Sequence, residues 1–97
     1  MRRRYLVTYD ISDDKRRDLV FKTLRDRGDH VQFSGFLCEL NPREYALLKG
    51  QLLKFVHQRE DQVLILDLGL ADNTLEIGQG LDCVGFAYSP PQRVMVV

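Results

Sequence analysis

The stretch YLVTYDI at positions 5–11 constrains the fold more than any other part of the sequence. Aromatic and β-branched residues dominate it, so it reads as a strand. Side chains along a strand face opposite sides in turn. Leu6 and Thr8 then share a face with Asp10, while Tyr5, Val7, Tyr9 and Ile11 take the other. Both faces are largely apolar, and a single layer of helices covers only one of them. The strand also stops at a carboxylate. Burying that group costs free energy unless it is paired or binds a metal.

The segments that follow alternate in period. Ser12, Asp13 and Asp14 are N-cap candidates for a helix running to about residue 27, with Val20, Phe21 and Leu24 as its apolar stripe. Gly28 stands where a helix C-cap belongs. Residues 30–33 and 36–40 read as two strands, with Ser34 and Gly35 as a tight hairpin turn; one long bent strand is the alternative. Asn41, Pro42 and Glu44 start a second helix through a capping box, with Pro at the first helical position. Tyr45, Leu48, Leu52, Phe55 and Val56 continue it at helical spacing to near residue 60. Residues 63–68 form a nearly continuous apolar strand, and residues 69–80 read as a polar loop. Residues 83–88 suggest a further short strand, Pro90 and Pro91 break it, and residues 93–97 make a β-rich tail. The expected fold is therefore α+β, a ferredoxin-like βαββαβ unit with an extra C-terminal β segment. It forms one domain over residues 1–97. A second copy packed sheet to sheet is the simplest cover for the open face, giving a homodimer. The tail has an exposed sheet edge available for pairing, including that of the partner.

Composition narrows the function classes. Formal net charge is zero, so bulk charge does not favour a polyanionic partner. Distribution still matters: Arg2, Arg3 and Arg4 cluster at the start, and Lys15, Arg16 and Arg17 follow the first strand. No stretch reads as a signal peptide, and no apolar run reaches the ~20 residues of a membrane helix. Cys38 and Cys83 sit in apolar contexts without CxxC spacing, and read as buried free thiols of a cytoplasmic protein. His30 and His57 have no metal-ligand partner nearby in sequence, and there is no glycine-rich phosphate loop.

Two readings stand for Asp10. It caps the turn that follows, or it binds a metal. Mg²⁺ commonly takes only one or two carboxylates and completes its octahedron with water and phosphate oxygens. Two Asp10 side chains brought together by a dimer axis make such a site against a phosphodiester. Arg16 and Arg17 lie in the first turns of the helix, where its dipole disfavours cations. They pair with Asp13 or Asp14, or they clamp a phosphate. Tyr9 and Phe36 are core aromatics or base-stacking residues. Asp67 ends an apolar strand with no partner in view.

The segments YDISDDKRR and VQFSGF, ahead of the P-x-E-Y helix start, resemble the CRISPR-associated protein 2 family over most of the chain. Gly35 stands where that family often has a valine. The resemblance implies a ferredoxin-like homodimer with facing sheets. It implies that Asp10 binds a divalent metal, usually Mg²⁺ with Mn²⁺ as a substitute, and is the catalytic residue. It assigns Tyr9, Arg16, Arg17 and Phe36 to nucleic-acid binding. Family members are described as metal-dependent endonucleases acting on single-stranded RNA or double-stranded DNA. They are also known as non-catalytic bridges between integrase subunits in spacer acquisition. A toxin-like RNA-binding protein of the same fold is the remaining alternative.

Overall fold

The computed structural model describes residues 1–71, 76–77, 80–81 and 84–85. Strand β1 (Arg3–Asp10) leads to helix α1 (Asp14–Arg25), and β2 (Gly28–Gln32) and β3 (Gly35–Leu40) follow. Helix α2 (Pro42–Phe55), strand β4 (Gln62–Leu70) and the short β5 (Glu76–Ile77) and β6 (Gly80–Leu81) complete the order. The first four strands form one sheet in the order β2-β3-β1-β4, antiparallel at each pairing. Strands β5 and β6 pair in parallel as a separate ribbon. The expected strand at 83–88 and the tail at 93–97 lie mostly or wholly outside the described residues. So does Cys83.

Burial alternates along β1 as the sequence requires. Tyr5, Val7 and Tyr9 point into the core, with Phe36, Cys38 and Leu40 from β3. Val20 and Leu24 of α1 and Leu48 and Leu52 of α2 cover them. Both helices therefore serve one face of the sheet. On the other face Leu6 lies beside Leu37 of β3 and Leu66 of β4, and Thr8 beside Leu64. Leu64 is 50% exposed and Leu66 46% exposed. Cys38 is a fully buried free thiol, as expected. Among the described residues no helix is long and apolar enough to cross a membrane.

The differences from expectation lie at element ends. Helix α1 stops at Arg25, and Asp26 is its cap. The N–H of Asp26 donates to the Lys22 carbonyl at 3.2 Å and that of Arg27 to the Leu24 carbonyl at 3.0 Å. The helix thus closes without a left-handed glycine, and Gly28 opens β2 instead. A Cβ at Gly28 would stand 2.4 Å from the Leu37 carbonyl oxygen and 2.6 Å from Cys38 Sγ. The glycine is there because β3 approaches closely. The hairpin turn falls one residue early, on Phe33 and Ser34, with Gln32 opposite Gly35. Phe33 has φ +36°, a conformation that costs a non-glycine residue about 1–3 kcal/mol. Two-residue hairpin loops favour such positive φ because it matches strand twist.

Helix α2 starts as expected, with both halves of the Asn41–Glu44 capping box formed at 2.8 and 2.9 Å. It ends at Phe55 rather than near residue 60, because Asp61 folds the next residues into a turn. The Asp61 carboxylate accepts from the His57 N–H at 2.8 Å, and the Asp61 N–H donates to the His57 carbonyl at 2.9 Å. Strand β4 continues to Leu70, and β5 falls within the span expected to be loop.

The two glycines Gly28 and Gly50 predict opposite effects of the same change. Gly28→Ala overpacks the β2–β3 contact and is expected to lose about 1–3 kcal/mol in urea unfolding. Gly50 lies inside α2, where an added Cβ would meet no neighbouring atom within 4 Å. Gly50→Ala is expected to gain about 0.5–1 kcal/mol from helix propensity in the same measurement.

Candidate functional site

The site is built at the C-terminal end of β1, where the chain leaves the middle of the sheet. Asp10 is the last residue of the strand and lies opposite Gln62 of β4. Its side chain is on the open face, exposed to solvent. Among the described residues no hydrogen bond or ion pair engages its carboxylate. The cap of α1 is Asp13, whose carboxylate accepts from the Arg16 N–H at 2.9 Å, so the capping reading does not apply to Asp10.

Tyr9 points the other way, into the helix layer. Its ring stacks on Phe36 with centroids 6.5 Å apart and planes at 23°, and its N–H donates to the Ser34 carbonyl at 3.2 Å. Burial pushes the Tyr9 hydroxyl above its ordinary pKa, against the pull of the nearby Arg17 charge. Arg17 folds back over the loop after β1. Its Nη1 donates to the Ile11 carbonyl at 3.1 Å, and its other terminal nitrogen pairs with Asp14. Its side chain remains 46% exposed. Tyr9, Arg17, Asp14, Asp18, Phe21, Phe33 and Ser34 line an open groove of about 500 Å³.

Arg16 and Phe36 are placed differently from the reading that gave them nucleic-acid contacts. The Arg16 guanidinium grips Asp61 with two hydrogen bonds, Nε to Oδ2 at 2.8 Å and Nη2 to Oδ1 at 3.2 Å. Nη2 also donates to Glu60 at 3.0 Å. Through Nε and Nη2 Arg16 ties α1 to the turn before β4, which leaves Nη1 as the nitrogen outside these bonds. Phe36 is wholly buried, between Tyr9, Phe21 and His30, with no face open to a base. The arginine cluster at the start is likewise engaged. Arg2 pairs with Glu44 at 2.8 Å, Arg3 with Asp67 at 2.9 Å and Arg4 with Glu39 at 3.2 Å. Asp67 therefore has the partner that the sequence did not reveal, and the Gly69 N–H donates to it at 2.8 Å. Those two contacts, the Gly69 N–H first, hold its carboxyl below the ordinary value.

Among the described residues no three His, Cys, Asp or Glu side chains converge on one point. At the end of β1, the described part of one chain thus offers a divalent cation Asp10 alone. An exposed carboxylate without an ion pair fits Mg²⁺, which commonly takes only one or two carboxylates.

Fold and site together define a small two-layer α+β protein with a lone carboxylate at the end of its central strand. The chain belongs to the family described as CRISPR associated protein Cas2, whose model matches residues 1–74. It is 43% identical over 68 residues to a protein of Thermodesulfovibrio yellowstonii named CRISPR-associated endoribonuclease Cas2 2, covering 70% of this chain and 75% of that one. It is 33% identical over 93 residues to CRISPR-associated endoribonuclease Cas2 1 of Rhodospirillum rubrum, covering 96% and 88%. The crystal structure of a hypothetical protein from Thermus thermophilus superposes with a TM-score of 0.74 at 27% identity, covering 94% of this chain and all of that one.

The Arg16–Asp61 pair predicts an acid limb of stability. The Asp61 side chain is fully enclosed, and hydrogen bonding to Arg16 holds its carboxyl below the ordinary 3.8. A group depressed in the folded state stabilises it at pH values above the unfolded pKa, and the gain is lost as pH falls through the folded value. Wild-type protein is expected to keep this contribution at neutral pH and lose it progressively below 3.8. Asp61→Asn is expected to be less stable at neutral pH and to fall less steeply with acid, as read by thermal unfolding across that range.

Proposed function

We propose that the chain is a metal-dependent endonuclease of CRISPR defence that hydrolyses phosphodiester bonds as a ferredoxin-like homodimer. One observation carries the reading: Asp10 ends the central strand exposed and, among the described residues, without an ion pair, on the face that also exposes Leu64 and Leu66. A second copy laid on that face buries the apolar stripe, and burial is scarce in a domain this small. A two-fold contact is self-complementary, so each copy contributes the same residues to it. Two Asp10 carboxylates then share one interface, which supplies the acidic pair that a single chain lacks.

The two Asp10 side chains would hold Mg²⁺, or Mn²⁺ in its place. Such an ion, when bound, polarises a phosphoryl oxygen and lowers the pKa of a bound water. The chain's own part is positional. Arg17 turns its half-exposed guanidinium over the end of β1 and meets a phosphate oxygen. Tyr9 lines the groove beside it, and Phe36 supports the Tyr9 ring from inside the core. Arg16 contributes by fixing the start of α1. RNA is the favoured substrate, because curated relatives are named endoribonucleases. Family membership also supports a part in spacer acquisition, beside an integrase and its duplex DNA.

A cleavage assay tests this. Labelled single-stranded RNA and duplex DNA are each incubated with wild type and Asp10→Ala, with Mg²⁺ or Mn²⁺ and with chelator. Wild type is expected to cut RNA only with metal, and Asp10→Ala to lose cutting by at least about a hundredfold. Arg17→Ala is expected to weaken RNA retention and reduce its salt slope by about one. Metal-independent cutting, or equal cutting by wild type and Asp10→Ala, refutes the assignment. Duplex DNA held without any cutting makes the dimer a scaffold.

A further inference from the structure

Phe33 is exposed as few phenylalanines are. It is 93% accessible, at the tip of the β2–β3 turn, and it is the one non-glycine residue with positive φ among those described. A glycine or asparagine meets such a turn at lower cost. The His30 ring donates a hydrogen bond from Nε2 to the Phe33 carbonyl, so the tip is held in place. The ring lines the groove formed with Tyr9, Phe21 and Arg17. An exposed aromatic in a strained, pinned conformation beside an aromatic-walled groove is a binding device by physical criteria.

The charges in the groove say what it binds. Asp14 pairs with Arg17, and Asp18 pairs with Lys22 at 2.9 Å, so the groove sets one arginine against two carboxylates and does not recognise its ligand by net positive charge. A flat, neutral ring fits better. Carboxylates at the rim accept hydrogen bonds from base amino groups. A base inside a duplex hides both faces against its neighbours, so only an unpaired base can stack here. The groove lies on the helix side of the sheet with Tyr9, away from the Leu64 and Leu66 face that a second copy would cover.

We infer that Phe33, with Tyr9, Phe21 and Arg17, forms a stacking site for one unpaired nucleobase of single-stranded RNA. The inference deepens the nuclease reading and rests on it. Arg17 sits where both meet, so the base taken up in the groove orders the adjoining phosphate toward the end of β1. The site selects single strands by shape and not by charge.

Binding of a labelled single-stranded RNA and of the same sequence fully paired is measured for wild type, Phe33→Ala, Phe33→Tyr and Phe33→Gly. Stacking on one aromatic ring predicts about a tenfold loss or more for Phe33→Ala on the single strand. The salt slope stays unchanged, because no phosphate contact is removed. Phe33→Tyr is expected to bind as wild type. Phe33→Gly is expected to bind as weakly as Phe33→Ala yet to unfold at a higher temperature, because glycine relaxes the positive φ. A purely structural ring gives the opposite pattern, with lower stability and unchanged RNA affinity, and overturns the inference. Equal binding of RNA by wild type and Phe33→Ala overturns it too while leaving the nuclease reading intact. Failure of wild type to bind any RNA or DNA removes both.

Discussion

Strand β1 is hydrogen-bonded along both edges, to β3 on one side and β4 on the other. Every other element of the main sheet and its helix layer takes its position from that double pairing. It fixes which side chains face the helices, since a shift of one residue would turn Tyr5, Val7 and Tyr9 out to solvent. It fixes where Asp10 emerges, at the strand's end opposite Gln62. It also places the β2–β3 turn within reach, through the bond from the Tyr9 N–H to the Ser34 carbonyl. The carboxylate and the aromatic groove are therefore two outputs of one strand, on opposite faces and at the same end.

The charged residues divide in a way that net charge hides. Arg2, Arg3, Arg4 and Arg16 all bind carboxylates of the chain itself. These pairs join segments far apart in sequence, and Arg16 is the extreme case because its partner is fully enclosed. Removing Arg16 leaves the enclosed Asp61 with an unmet charge, which costs more than the pair itself contributes, whereas exposed pairs such as Arg3–Asp67 contribute little. A chain with zero formal net charge thus uses most of its N-terminal arginines as cross-braces. Arg17 also pairs within the chain, with Asp14, but its side chain stays 46% exposed over the loop after β1.

Much of this was legible in the sequence where local chemistry decides. The Asn41–Pro42–Glu44 signal specifies the start of α2 without help from tertiary contacts, and Asp13, one of three cap candidates in the sequence, starts α1. The order of elements and the open apolar face followed from period and from the small size of the chain. Partners distant in sequence were not legible. Asp61 lies 45 positions from Arg16, and nothing local marks it as the acceptor. Likewise the close approach of β3 to Gly28 turned an apparent helix cap into a strand residue. Phe33 read as a strand residue because aromatic residues favour strands, and turn geometry overrode that preference. At the site, Asp10 and Arg17 were singled out by local pattern, and their roles came only from the family resemblance. The groove did not, because it joins a helix, a strand end and a hairpin tip.

Cys38 gives the core a clock. It is fully buried, and burial first, then the nearby Asp29 charge, pushes its thiol up to about 11. The thiolate is the reactive form, so an alkylating reagent reaches this sulfur only when β3 parts from its neighbours. Its modification rate therefore follows how readily the central sheet opens. Since Phe36 and Cys38 share the same inward face of β3, that rate also reports how readily the floor beneath Tyr9 is lost.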